Sequence, residues 1–167
     1  LLNEAEPLYI GDFSPNVRPI QALKVRVWIK QGELEKALAW ARERELSSTE
    51  SPSYLREFEQ ITFARILLLQ YESDAADSLL HGVTQLLENL LKAAESGGRM
   101  GSVIEILVLQ ALAYQMQADY ASALKSLERA LKLAESEGYI RIFVDEGAGM
   151  AGLLRKAACA SPSFHRS

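Results

Sequence analysis

Residues 32–41, GELEKALAWA, and residues 118–127, ADYASALKSL, follow one pattern: small, any, large, any, any, Ala, Leu, any, any, apolar. Leu34 answers to Tyr120, Ala37 to Ala123, Leu38 to Leu124 and Ala41 to Leu127. The copies lie 86 residues apart, two periods averaging 43. Between them Leu80, Val83 and Leu87 repeat the positions of Leu34, Ala37 and Ala41 more weakly. Recurrence at this period marks stacked repeats, in which each unit buries its apolar face only against its neighbours. The alanine at the centre suits a close helix–helix approach, with the larger residues packing on either side.

Periodicity and stop signals extend this core outward into helices. The spacing predicts helices over about Pro19–Gln31, Glu33–Glu45, Tyr54–Tyr71, Ala75–Ser96, Gly101–Gln117 and Asp119–Glu137. Proline suits a first turn, and Gly32 suits a left-handed cap. The stretch 46–53, rich in serine with Pro52, reads as a loop, and Gly97-Gly98 as a turn. A short helix or turn is expected over Tyr139–Val144 and a last helix over about Gly149–Ala158. The segment 139–144 has strand-like composition, but a lone strand would lack a pairing partner. The expectation is an all-α array of helical hairpins of tetratricopeptide type, about seven or eight helices in a right-handed superhelix. It forms a single domain over 1–160, followed by a polar tail or the start of a linker at 161–167.

The whole-chain properties agree with a globular helical domain. Apolar residues make up 49% of 167 residues and charged residues 24%, with 5 prolines and 10 glycines. A chain of this length buries roughly 70% of the surface its unfolded form exposes. The net charge of −4 is the wrong sign for a domain that grips phosphates, so direct nucleic-acid contact is not expected. One cysteine, Cys159, cannot form an internal disulfide, which suits a reducing, cytoplasmic setting. No apolar run of membrane-spanning length occurs, and residues 1–10 carry Glu4 and Glu6 without a basic secretory start. The non-methionine start and arbitrary-looking end read as a piece of a longer chain.

Three further stretches carry a resemblance: YLREFEQITFAR at 54–65, GSVIEILVLQA at 101–111, and GYIRIFVDEG at 138–147 followed by MAGLL at 150–154. Together they resemble the sensor region of the large ATP-dependent LuxR-type transcriptional regulators of the maltose-regulon-activator class. The resemblance covers about Leu8 to Arg155. It implies a repeat region that receives an inducer, a small molecule or a protein, and relays it to an ATPase switch module and a DNA-binding domain. Neither module is expected within these residues, since no Gly-x-x-x-x-Gly-Lys-Ser/Thr phosphate loop occurs. The alternative is a scaffold that binds a partner peptide in its concave groove.

Signals for chemistry are weak. His81 and His165 are distant in sequence and lack ligand spacing, so no metal site is expected. Cys159 has no base nearby in sequence and reads as a small buried or half-buried side chain. The Glu33/Glu35 and Glu43/Glu45 pairs sit beside basic residues and read as a solvated face. No catalytic residue and no cofactor are expected.

The expected core includes Leu34, Ala37, Leu38, Phe58, Leu69, Leu87, Leu109, Leu112, Tyr120, Ala123, Leu124 and Leu127. If the first helix of each pair lines the concave face, Arg18, Gln21, Tyr54, Glu57, Gln60, Gln110 and Tyr114 are candidates for a ligand or partner groove. Arg65 falls within the stripe of Leu55, Phe58, Thr62, Ile66 and Leu69, and Glu105 within that of Leu109, Leu112 and Met116. Charges on apolar stripes are seldom buried unless paired, so Arg65 and Glu105 are expected to form a buried ion pair. A competing reading makes Ser102 and Glu105 a capping box at a helix start.

Overall fold

The computed structural model describes residues 17–139 and 141–160. Among them are eight α-helices and no strand: α1 Ile20–Lys30, α2 Leu34–Glu43, α3 Glu57–Asp74, α4 Asp77–Ser96, α5 Met100–Met116, α6 Tyr120–Glu137, α7 Arg141–Val144 and α8 Gly147–Ala160. One 3₁₀ turn, Tyr54–Arg56, leads into α3. The fold is all-α and of tetratricopeptide type. Residues 141–144 form one helical turn, as the missing strand partner requires.

The chain divides into two compact units, Leu1–Ala93 and Ala94–Ser167. In the first, α1 packs on both α2 and α3, and α2 packs on α3. In the second, α5 packs on α6 and α8, α6 on α8, and α7 on α8. Contact between α1 and α3, first helices of successive pairs, is what stacking of repeats produces.

One backbone device recurs at four of the helix ends. Gly32 has φ 74°, and its N–H and that of Glu33 donate to the carbonyls of Ile29 and Trp28. These two bonds, one short and one reaching back five residues, cap the orphan carbonyls of α1 in a Schellman motif. The same pair of bonds recurs after α2 at Glu45/Leu46, after α4 at Gly98/Arg99 and after α5 at Ala118/Asp119. Glu45 (φ 51°) and Ala118 (φ 60°) hold the left-handed position with a Cβ, which costs roughly 1–2 kcal/mol at each. The first position of the repeat, Gly32 and Ala118, is therefore the left-handed residue of the turn.

The helices bury themselves in two ways. In α3, residues 59–64 are all buried, and in α5, residues 106–111 are all buried. Six consecutive buried residues exceed one and a half turns, so these stretches have no solvent face. By contrast, α6 buries Ala123, Leu127, Ala130 and Ala134, a single stripe at helical spacing. Of the expected core, Ala37, Leu87, Leu109, Ala123 and Leu127 are buried. Leu34, Leu38, Phe58, Leu69, Leu112 and Leu124 are half-buried.

Two expectations fail. Tyr120 is 44% exposed: as the first residue of α6 it sits at the helix tip, where the Lys156 ammonium of α8 covers its ring at 3.4 Å. The capping box fails too, because α5 starts at Met100 and Ser102 lies inside its first turn. Asp119 does cap α6, accepting the Ser122 N–H at 3.1 Å. The Ser122 hydroxyl and amide hold the Asp119 carboxyl below its ordinary value of 3.8.

Candidate functional site

In the first unit, polar side chains concentrate where the loop 44–56 meets α3. Glu59 is buried on α3, and two guanidiniums reach it from the loop side. Arg44 Nη2 lies 2.7 Å from Oε1, and Arg56 Nε lies 3.4 Å from Oε2. The Arg44 contact is ionic without the alignment of a hydrogen bond, since Oε1 makes no such bond. Arg56 also holds Glu50 Oε1 through Nη1 at 2.5 Å and donates to the Arg44 carbonyl at 2.8 Å. The Glu59 side chain is 6% exposed, against 40% for Arg44 and 35% for Arg56. One buried charge is thus neutralised by two half-solvated ones, an arrangement that closes the loop onto the helix.

The candidate groove residues occupy different settings. Gln60 is fully enclosed: its Oε1 accepts the Ser53 N–H at 3.4 Å and its Nε2 donates to the Ser51 carbonyl at 3.2 Å. Its amide is spent on the loop. Glu57 is buried at the start of α3, and Tyr54 is 54% exposed on the 3₁₀ turn before it. Arg18 is exposed, with its guanidinium 5.7 Å from the centre of the Phe58 ring. Arg26 stacks on the same ring at 3.8 Å, and its Nε donates to Thr62 Oγ1 at 2.9 Å. The Phe58 ring and the Arg26 guanidinium thus join α1 to α3, with Arg18 reaching the same ring from the residues before α1. In the second unit, Gln110 is buried on α5 and Tyr114 is half-buried. Arg65 on α3 and Glu105 on α5 are each half-buried.

Gln21 is exposed and lines a cleft between α1 and α2. Its other walls are Lys24, Trp28, Lys36, Ala39, Trp40 and Glu43, around a volume of about 310 Å³. On α1, Gln21, Lys24 and Trp28 share a face by their i, i+3, i+7 spacing. On α2, Lys36, Ala39, Trp40 and Glu43 do the same. The Lys24 ammonium stands 5.5 Å from the centre of the Trp28 indole. Lys36 pairs with Glu33 at 3.1 Å. Sequence reasoning passed over this cleft. The available signal was two tryptophans, each four residues after a lysine, on consecutive helices.

Elsewhere little chemistry assembles. Cys159 is exposed on α8, a correction to the expected buried or half-buried placement that follows from its position on the outer side of a terminal helix. His81 is exposed on α4, and His165 lies outside the described residues. Among the described residues no group of three His, Cys, Asp or Glu is placed to hold a metal ion. Among the described residues no helix is long and apolar enough to cross a membrane.

No curated protein and no solved structure matches the chain significantly. The model of one family, the MalT-like TPR region, matches residues 1–160. Helical hairpins that bury apolar stripes against their neighbours are what a tetratricopeptide-type region requires, and the chain belongs to the MalT-like TPR region family.

Proposed function

We propose that this chain receives an inducer, a small molecule or a protein, and relays its binding to ATPase and DNA-binding domains of a LuxR-type regulator. The family match over residues 1–160 carries this reading. One feature supports it: the first unit offers a cleft of small-ligand size at its α1/α2 face. The chain acts in the cytoplasm, without direct contact to nucleic acid or membrane, and does no chemistry of its own. Arg18, Gln21, Tyr54, Glu57 and Gln60 belong to the receiving surface of the first unit or support it, and Gln110 and Tyr114 do the same in the second.

Thermal denaturation against a panel of metabolites and peptides tests the reading. A ligand at a hundred times its Kd raises stability by about 2.7 kcal/mol. Failure of every small molecule and peptide, with one protein co-purifying stoichiometrically, would replace the receiver by a scaffold that binds a partner in its groove.

A further inference from the structure

We propose that residues 44–53 form a strap over the start of α3, held shut by charge and opened by ionic strength. Polar ties hold it there. Arg44 Nη2 lies 2.7 Å from Glu59 Oε1. Arg56, on the turn that leads into α3, donates to the Arg44 carbonyl at 2.8 Å and holds Glu50 Oε1 at 2.5 Å. Gln60 accepts the Ser53 N–H at 3.4 Å and donates to the Ser51 carbonyl at 3.2 Å.

The closed strap leaves its carboxylates half-served. Glu50 Oε2 and Glu59 Oε1 are buried and accept no hydrogen bond. A buried polar atom without a partner is rare in folded proteins and costly to keep. Opening gives both oxygens to water. Glu45, at the first end of the strap, holds a left-handed φ of 51° that its Cβ disfavours, so relief there acts in the same direction. What opposes opening is the pairing of charges. The guanidiniums of Arg44 and Arg56 are 40% and 35% exposed, so dissolved ions reach them, while the Glu59 side chain is 6% exposed. Salt therefore weakens the ties from the cationic side.

The strap is built to move as a piece. Within it the Thr49 N–H donates to Ser47 Oγ at 3.3 Å and the Glu50 N–H to the Ser47 carbonyl at 3.2 Å, bonds that survive when the ties to α3 are cut. Its tip rests on α4, where a Cβ added at Gly82 would come within 3.1 Å of Ser48 Oγ. Glycine inside a helix is unfavourable, and here its missing side chain is the seat of the tip. Closed, the strap consumes the Gln60 amide and encloses Glu59. Open, it presents an amide and a carboxylate at the start of α3 to another molecule.

Hydrogen exchange of the intact chain, followed by mass spectrometry over 44–53, tests this, with rates corrected by an unstructured peptide of the same sequence. Sodium chloride is raised from about 0.1 M, where the screening length is roughly 10 Å, to about 1 M, where it is roughly 3 Å. Exchange over 44–53 should speed up at least about threefold, while that of the enclosed stretch 106–111 holds. Glu59→Gln keeps the shape and removes the charge, so exchange over 44–53 should be fast at low salt and no longer respond to salt. Gly82→Leu fills the seat and should likewise give fast exchange at low salt.

Exchange over 44–53 that is indifferent to salt in the unaltered chain overturns the proposal, and so does an equal rise over 106–111, which is general loosening. Neither result depends on a variant folding. A full salt response retained in Glu59→Gln also overturns it, because the charge that holds the strap would then lie elsewhere.

Discussion

Helices α3 and α5 occupy the same place in successive pairs and are equally enclosed, yet they are enclosed differently. In its first two turns α3 buries Glu57, Glu59, Gln60 and Thr62. Over its whole length α5 buries a single polar side chain, Gln110, among Val103, Ile104, Ile106, Leu107, Val108 and Leu109. Apolar packing is non-directional and tolerates small shifts, whereas a buried carboxylate or amide fixes the geometry of whatever satisfies it. At α3 the satisfied partner is a loop: Glu59 gathers Arg44 and Arg56, and Gln60 ties residues 51 and 53. The first unit therefore spends buried polarity on fixing a connection that the second unit does not contain, its corresponding turn being the short one at Gly97-Gly98.

The sharpest way to break this comparison is to cut the apolar interior. Ile106→Ala removes a fully buried side chain and should cost about 2–5 kcal/mol, read from the denaturant midpoint. Glu59→Ala should cost less, about 1–3 kcal/mol, because Arg44 and Arg56 can turn to water once released. Its cycle with Arg44→Met should be non-additive. A Glu59→Ala loss equal to that of Ile106→Ala would mean that polar fixing outweighs packing. Ala123→Leu should overpack the buried stripe of α6 at about 1–3 kcal/mol. An unchanged midpoint there would remove the close-approach role of the repeat's central alanine.

The smaller effects address the helix ends. Ala118→Gly should stabilise by about 0.5–1 kcal/mol, because relief of the left-handed strain exceeds the added chain entropy. A fall in melting temperature would sink that account. The smallest effect belongs to Asp119. Its folded-state pKa is depressed, so its contribution is present above the unfolded value and is lost as pH falls through the folded one. The difference in melting temperature between the parent chain and Asp119→Ala should shrink as pH drops below 3.8. A difference independent of pH would assign the cap to another group.

The helices and their order were legible in the sequence because apolar spacing and the Gly and Pro signals agree at most boundaries. The repeat register was legible for Ala37 and Ala123, where a small residue among larger ones has one cheap explanation. Tyr120 misled because angular position on a helix says nothing of distance along it, and a residue at the tip runs past its partner. Ser102 misled because α5 starts two residues before it, at Met100, behind an Arg99 cap that makes no side-chain capping hydrogen bond and so leaves no signature. The groove was argued from polarity on first helices, and polarity alone cannot separate Gln21, which faces solvent, from Gln60, which is consumed by its own loop. The α1/α2 cleft escaped because its residues look like an ordinary amphipathic surface until two helices bring the indoles together.

The turn at Gly32, Glu45, Gly98 and Ala118 is closed by main-chain atoms, and three residue types occupy its left-handed position. These four corners are therefore written in geometry that any residue can spell at a modest cost. A lineage built this way can exchange nearly every letter at its corners and keep its shape. Resemblance to distant kin then fades from the text of the chain long before it fades from the path of the backbone.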